Sequence, residues 1–328
     1  MSPKPAVCRE IETDLVATAT GEGGAAATQR VQDHVGRCAP CRDDFTSYRA
    51  IDSVTRSLSR DAGEPAPAAL AGVQARLADL RRRLVTYGIF PSPLGHLLIA
   101  RSEEGVSLVE YLGGAATFGA SRLSRTEGVE AVRDGAEIER LHRELLDYLD
   151  GRRAQLGWAL DLRLARSDFH RTVLEATAGV PYGAVMSYAG IARRIGKPAA
   201  VRAVAQALRW NPLPIVVPCH RIIGSSGALT GYAGNKVTLK QRLLAVEGVR
   251  TRRAEHDFRI ERDAMYVRAQ EDTEYCVPTC GSLAERSLAE LTLFASRERA
   301  EAAGLGPCTS CRPDLHPIAQ GPQRGLFE

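Results

Sequence analysis

The sequence predicts a multidomain α/β protein: a small sheet subdomain, a helical domain behind it, and a compact cysteine-rich segment at each end. Three observations carry that prediction. A length of 328 residues is enough for two or three domains. Short apolar strands between residues 85 and 111 give way to helical periodicity from Asp168 onward. The eight cysteines fall into Cys8, Cys38 and Cys41, then Cys219 alone, then Cys276, Cys280, Cys308 and Cys311.

Residues 1–58 read as a helical zinc finger. Two turns of helix place His34, Cys38 and Cys41 on one face, and Cys8 adds a third sulfur. Three sulfurs and one nitrogen suit tetrahedral Zn2+. Residues 59–85 are a Pro/Gly/Ala-rich linker followed by an Arg-rich helix. Residues 86–165 form the sheet subdomain, with strands at 85–90, 96–100 and 106–111, a helix over 137–149 and a last strand at 160–163. Residues 166–252 read as all helical, over 169–178, 188–195, 199–209 and 239–246. Residues 253–267 are charged and poorly periodic, which reads as a linker. Residues 268–328 hold Cys276, Cys280, Cys308 and Cys311, four sulfurs suited to a closed zinc site.

Composition narrows the class. No run of about 18 apolar residues is present, so no membrane span is predicted. The first residues lack a basic segment followed by an apolar one, so a cytoplasmic protein is expected. In that compartment paired cysteines bind metal more often than they form disulfides. The net charge of +4 is only a weak bias toward polyanions.

Cys219 fits neither cysteine group, which makes it the candidate nucleophile. It sits in Pro218, Cys219, His220 and Arg221, after an apolar, strand-like run at 213–217. An adjacent imidazole can take the thiol proton, and the thiolate is the form that attacks carbon. Alone, the pair fits a structural thiol equally well. Upstream, a short helix from Tyr188 stops at Gly196, and Pro198 opens a second helix over 199–209, the pattern of a helix-turn-helix. Ala199, Ala200 and Ala203 let that second helix approach a groove closely, with Arg202 among them, although an Ala-rich core helix has the same pattern. Asn211 and Pro212 end it. Ser225 and Ser226 begin a flexible loop that leads to Tyr232. Glu247, in the closing helix, is a carboxylate that can orient His220.

Tyr188, Arg202, Asn211-Pro212, the Pro218–Arg221 tetrapeptide, Ser226-Gly227, Gly231-Tyr232 and Glu247-Gly248 together resemble the O6-alkylguanine-DNA alkyltransferase family. The resemblance covers roughly residues 86–250 and implies a ribonuclease-H-like sheet subdomain before a catalytic helix-turn-helix domain. It implies direct-reversal repair of double-stranded DNA, bound through the minor groove: an alkyl group passes irreversibly from guanine O6, or thymine O4, to Cys219. By the same resemblance His220 activates the thiol through an ordered water and Glu247 holds the imidazole. Asn211 braces the loop, and Tyr188 turns out the nucleotide and protonates the leaving base. Arg202 fills the gap in the stack, with Ala199, Ala200, Ala203 and Arg209 along the DNA face. Pro218, Ser225, Ser226 and Tyr232 line the base pocket. Residues 234–239 are one residue longer than the family's spacing, which leaves the register of Glu247 open.

The N-terminal cysteine group resembles the zinc finger of anti-sigma factors, which implies a sigma-factor partner for residues 1–58. The C-terminal group resembles the zinc domain of the Ada protein, which implies Cys276 as a second methyl acceptor, from DNA methylphosphotriesters. Here that domain lies C-terminal and no transcription-activator region accompanies it. Two other function classes stand beside repair: a zinc-dependent sensor of alkylation or thiol oxidation, and a Cys-His hydrolase.

Overall fold

The computed structural model describes residues 6–61, 67–113, 117–133, 135–234, 236–254, 257–270, 272–283 and 285–318. The chain divides into two compact units, Met1–Ala78 and Asp79–Glu328.

The first unit is helical: α1 (Ala6–Glu10), α2 (Glu12–Ala19), α3 (Ala25–Val35), α4 (Ala39–Asp61) and most of α5 (Pro67–Arg83). Its core is Cys8, Leu15, Val31 and Cys41, with Ile11, Val35, Cys38, Phe45 and Tyr48 packed against them. Such a core is too small to outweigh chain entropy by burial alone, so a bound metal is the expected staple.

The second unit begins with β1 (Leu84–Phe90), β2 (His96–Arg101), β3 (Val106–Gly113) and β4 (Glu130–Arg133), in the sheet order β3-β2-β1-β4. β1 to β3 form an antiparallel meander, and β4 joins β1 in parallel. Alternation works in both directions here. Leu97, Ile99 and Val109 pack into one core with Ile138, Leu141 and Leu145 of α6 (Ala136–Leu149). Leu98, Ala100 and Leu108 face a second core under residues 117–131. The expected strand at 160–163 is reduced to a single bridge, Leu160 to Val106.

Next come α7 (Asp168–Ala178), β5 (Ala184–Ser187), α8 (Tyr188–Arg194), α9 (Val201–Arg209), β6 (Ile222–Ile223) and α10 (Val237–Val246). Ser167 caps α7 by accepting from the His170 N–H, and Ser187 caps α8 by accepting from the Gly190 N–H. Gly196, at φ +69°, turns the chain out of α8. A 3-10 turn over Pro198–Ala200 leads into α9, which therefore starts later than residue 199. The region is not all helical. β5 and β6 pair in parallel, Met186 with Ile222 and Ser187 with Ile223. The run 213–217 is not a strand; it turns sharply, with Ile215 at φ +76°. Leu213, Ile215 and Val217 are apolar because they are buried against the core, not because they alternate in a sheet.

Residues 253–267 are not a linker. β7 (Thr251–Ala254) and β8 (Asp257–Ile260) form a hairpin, and β9 (Tyr266–Ala269) begins before 267. The charges there mask widely spaced apolar residues, and Ile260, Met265, Tyr266 and Val267 are buried. The remaining elements are β10 (Glu274–Tyr275), β11 (Leu291–Phe294), α11 (Arg297–Ala302) and β12 (Gly306–Pro307). β11 lies between β9 and β5, so one sheet, in the order β6-β5-β11-β9, joins the cysteine-rich C-terminal part to the strands around Cys219. A single cross-strand row runs Cys276, Val267, Leu293, Val185.

Candidate active site

Cys219 opens a one-turn 3-10 segment, Cys219–Arg221, between the bent run 213–217 and β6. Its thiol is buried, at 8% exposure. Burial pushes the thiol's pKa up, against the lowering effect of a hydrogen bond from Asn211 and the charge of Lys240. Asn211 Nδ2 donates to Cys219 Sγ at 3.1 Å and to the Val217 carbonyl at 2.9 Å, while its Oδ1 accepts from the Leu213 N–H at 2.9 Å. One side chain thus closes the loop from both ends. That brace holds Ile215 in a left-handed conformation that costs a β-branched residue on the order of 1–3 kcal/mol. From the sheet subdomain, the Val109 N–H donates to the Pro212 carbonyl.

His220 and Glu247 are both buried, and His220 Nε2 lies 2.6 Å from Glu247 Oε1. With Nε2 donating to the carboxylate, Nδ1 is left as the acceptor nitrogen, and it has no partner among the described residues. Burial lowers the His220 pKa below its ordinary 6.5, against the pull of Glu247, so the ring is a neutral base at neutral pH. Glu247 follows α10 directly, so the extra residue before that helix does not displace it from His220.

Of three further groups around Glu247, Tyr148 and Gly183 are absent from the sequence reading, whereas Arg221 is the last residue of the tetrapeptide singled out there. Arg221 Nε lies 3.1 and 3.0 Å from the two carboxylate oxygens. Tyr148, from α6, donates to Oε1, and the Gly183 N–H donates to Oε2 at 2.9 Å. The charges of Arg221 and His220 overcome desolvation and pull the Glu247 pKa down to about 2. Gly183 sits at φ +71°, and a Cβ there would lie 2.9 Å from Arg299 Cγ and 3.1 Å from the Glu247 carbonyl oxygen, so the close approach needs glycine.

Lys240 was also missed. It is wholly buried in α10, donates to the Ile222 and Thr230 carbonyls, and its ammonium is pushed down to about 8 by desolvation. No pattern marks which basic residue of α10, Lys240 or Arg242, will be buried. The only sequence signal for Lys240 is its place among residues expected to be apolar.

The expected pocket residues divide between the surroundings of Cys219 and the separate groove lined by Ser225 and Ser226. Tyr188 is half-buried and donates to the Thr230 carbonyl at 3.1 Å, with its hydroxyl pKa pushed up to about 12 by burial. Tyr232 is buried, 2.9 Å hydroxyl to hydroxyl from Tyr111 of β3. Pro218 is buried, while Ser225 and Ser226 are exposed at the turn closed by Gly227. On α9, Val204, Ala207 and Leu208 are buried, which leaves Arg202, Ala203 and Arg209 exposed. Ala199 is exposed and Ala200 half-buried in the preceding 3-10 turn.

Both cysteine groups close into ligand sets. In Cys8, His34, Cys38 and Cys41, and in Cys276, Cys280, Cys308 and Cys311, the ligand atoms all lie within 4.8 Å of one another. Sulfurs about 2.3 Å from a tetrahedral zinc would stand about 3.8 Å apart, and Cys8 and Cys38 Sγ are separated by 3.9 Å. All eight cysteines are free of disulfides, and His34 Nε2 is buried without a partner. Both donor sets fit zinc.

Comparison with known proteins identifies relatives of two parts of the chain. Residues 168–249 match the family model for the 6-O-methylguanine DNA methyltransferase DNA-binding domain, and residues 253–314 match that for the metal-binding domain of Ada. The second match begins inside the hairpin that reads as a linker in sequence. A methylated-DNA–protein-cysteine methyltransferase of Methanosarcina acetivorans is 37% identical over 164 residues, covering 49% of this chain and 97% of its own length. The constitutive methyltransferase of that name from Bacillus subtilis is 37% identical over 163 residues, covering 50% and 95%. The crystal structure of the Mycobacterium tuberculosis O6-methylguanine methyltransferase shares 36% identity, covers 50% of this chain and 92% of its own, and superposes with a TM-score of 0.43. On the identity and coverage of these relatives, the chain belongs to the methylated-DNA–protein-cysteine methyltransferase family.

Proposed function

We propose that this protein repairs DNA by direct reversal, with Cys219 as the single-use acceptor of an alkyl group from guanine O6 or thymine O4. The observation that carries the proposal is the buried Cys219 thiol held by Asn211, beside a His220–Glu247 pair whose Nδ1 is left free.

The proposed step balances without a cofactor. His220 Nδ1 takes the thiol proton through a bridging water, and Glu247 and Arg221 hold the ring in place. Cys219 Sγ attacks the alkyl carbon in line, the S–C bond forms, and the C–O6 bond breaks with its electron pair passing into the purine. The Tyr188 hydroxyl, protonated at neutral pH, gives its proton to guanine N3 as the C–O6 bond breaks, and the proton held by His220 passes through water to the tyrosinate, so the proton released by the thiol ends on the purine. The resulting thioether does not hydrolyse, so each molecule acts once. A base inside a duplex is out of reach, so the nucleotide must turn out, at a cost of a few kcal/mol. In this reading α8 and α9 act as a helix-turn-helix that enters the minor groove. Ala199, Ala200, Ala203 and Arg209 follow its walls, and Arg202 fills the vacated stack. Tyr232, Pro218, Ser225 and Ser226 enclose the base.

The two ligand sets each hold one Zn2+ in this proposal, which supplies a cross-link and keeps the sulfurs as thiolates. Cys276 is a second candidate methyl acceptor. Its position in the row from Cys276 to Val185 supports a link between the two acceptors. For residues 1–58, a sigma-factor partner is supported by Ile51, Val54 and Leu58, exposed along α4. Among the described residues no helix is long and apolar enough to cross a membrane; cytoplasmic DNA is the proposed place of action because the proposed substrate is DNA.

The test is peptide mass spectrometry after incubation with O6-methylguanine DNA and, separately, with methylphosphotriester DNA. A methyl group on the Cys219 peptide supports repair, and methyl loss from the DNA with Cys219→Ala rules it out. Absence of label at Cys276 from the triester leaves the C-terminal cysteines a purely structural set.

A further inference from the structure

Beside the turn Ser225–Gly227 lies an open groove of about 700 Å³, lined by that turn, Arg252, residues 259–264, Leu288 and Ile318. Its charge is unusual. Arg252 of β7 and Arg259 of β8 are direct cross-strand partners, so both side chains stand on one face of the hairpin. Like charges placed opposite each other destabilise a ladder. Neither guanidinium has an ion pair or hydrogen bond among the described residues, and both are exposed. Arg262 lines the same groove, also exposed and without an ion pair or hydrogen bond among the described residues. Glu261 and Asp263 share the lining without pairing to these arginines, and would repel an anion at that end. The Arg252–Arg259 pair is therefore the anion-seeking part of the groove.

The hairpin is tied to the loop that leads to the base pocket. The Ile260 N–H donates to the Gly227 carbonyl at 3.0 Å, and the Leu229 N–H to the Phe258 carbonyl at 2.8 Å. Arg259 itself is bridged to Ala228, four residues before Tyr232. From this turn the chain runs on to Thr230, whose carbonyl accepts from Tyr188 and Lys240, and to Tyr232, so the groove is joined through a few residues to the surroundings of Cys219. Guanidinium forks match phosphate oxygens, and a bridging anion would relieve the repulsion between the two arginines.

We propose that Arg252 and Arg259 form a second DNA contact, separate from α9, that grips backbone phosphates flanking the turned-out nucleotide. The inference rests on the repair reading above and extends it to residues outside the helical DNA face. Each phosphate neutralised contributes about −0.9 to the slope of log affinity against log salt concentration on duplex DNA.

The experiment measures that slope with the full-length, zinc-loaded protein on an alkylated duplex. Arg252→Gln with Arg259→Gln should reduce its magnitude by about 2. Arg252→Lys with Arg259→Lys keeps the charge and should retain most of the slope. Arg253→Gln, on the opposite face of β7, removes a charge outside the groove and should leave the slope unchanged. An unaltered slope in the double Gln variant overturns the proposal. So does an equal loss in the Lys or Arg253→Gln variants, which would indicate misfolding or net charge. Methyl uptake by Cys219 of the unsubstituted protein is measured in parallel. Its absence would sink the repair reading, whereas uptake with an unaltered slope overturns only the groove.

Discussion

Replacing Glu247 by Gln tests the centre of the site with almost no change of shape. Every acceptor position of this carboxylate is taken by a donor. Oε1 receives His220 Nε2, Tyr148 Oη and Arg221 Nε, and Oε2 receives the Gly183 N–H and Arg221 Nε. A glutamine has one acceptor oxygen and one NH2 group, so one end must set donor against donor. It also leaves the guanidinium of Arg221, whose side chain is 9% exposed, without its counter-charge. Removing one partner of a buried ion pair costs about 3–5 kcal/mol. For a unit the size of Asp79–Glu328 each kcal/mol moves the melting temperature by about 2–4 °C. The expected loss is therefore about 6–20 °C, read by thermal unfolding of the zinc-loaded protein. Methyl transfer should slow as well, because His220 loses the group that fixes its tautomer. A variant that melts within about 2 °C of the parent and still transfers at the parental rate would refute the argument that the carboxylate is the anchor.

Three further outcomes follow from the same geometry. The Glu247 pKa is about 2 against an ordinary 4.5, so the pair contributes about 3 kcal/mol that is fully present above pH 4.5 and lost as pH falls through 2; urea midpoints between pH 6 and 2 should fall accordingly in the parent but not in Glu247→Gln. The rate of methyl uptake should decline on the acid side with a midpoint below 6.5, because burial lowers the His220 pKa; a midpoint above 6.5 would contradict a neutral imidazole base. Lys240→Met removes a charge that favours the Cys219 thiolate, so the thiol pKa, read from iodoacetamide reactivity against pH, should rise in that variant.

Metal content gives the remaining check. Elemental analysis should find about two zinc ions per chain, falling by one in Cys8→Ser and by one in Cys308→Ser. The Cys308→Ser variant should also speed hydrogen exchange in β5, because β11 carries the sheet from the cysteine-rich part to Val185. Unchanged exchange in β5 would mean that the sheet holds without its metal.

Much of the site was legible because its chemistry is local. Cys219 and His220 are adjacent, and the cysteine spacings mark ligand sets without any knowledge of the fold. The errors have local causes as well. Residues 253–267 carry so many charges that the buried Ile260, Met265 and Val267 did not register as strand positions. The run 213–217 has strand composition, but Pro212, Pro214 and the Asn211 brace bend it. Tyr148 and Lys240 escaped notice because nothing nearby in sequence distinguishes a polar side chain that will be buried from one that will be solvated.

By itself, the sequence determined the reactive atoms: one thiol beside an imidazole, and two sets of metal-binding side chains. Only the tertiary structure decided what those atoms can do. Glu247, already paired with His220 in the sequence reading, meets Gly183 across 64 residues of chain and Tyr148 across 99. The same is true of β11, which enters the sheet between β9 and β5 and joins the C-terminal cysteines to the strands around Cys219. Contacts at such separations depend on how sheets and helices pack together, and no local pattern of residue types records that packing.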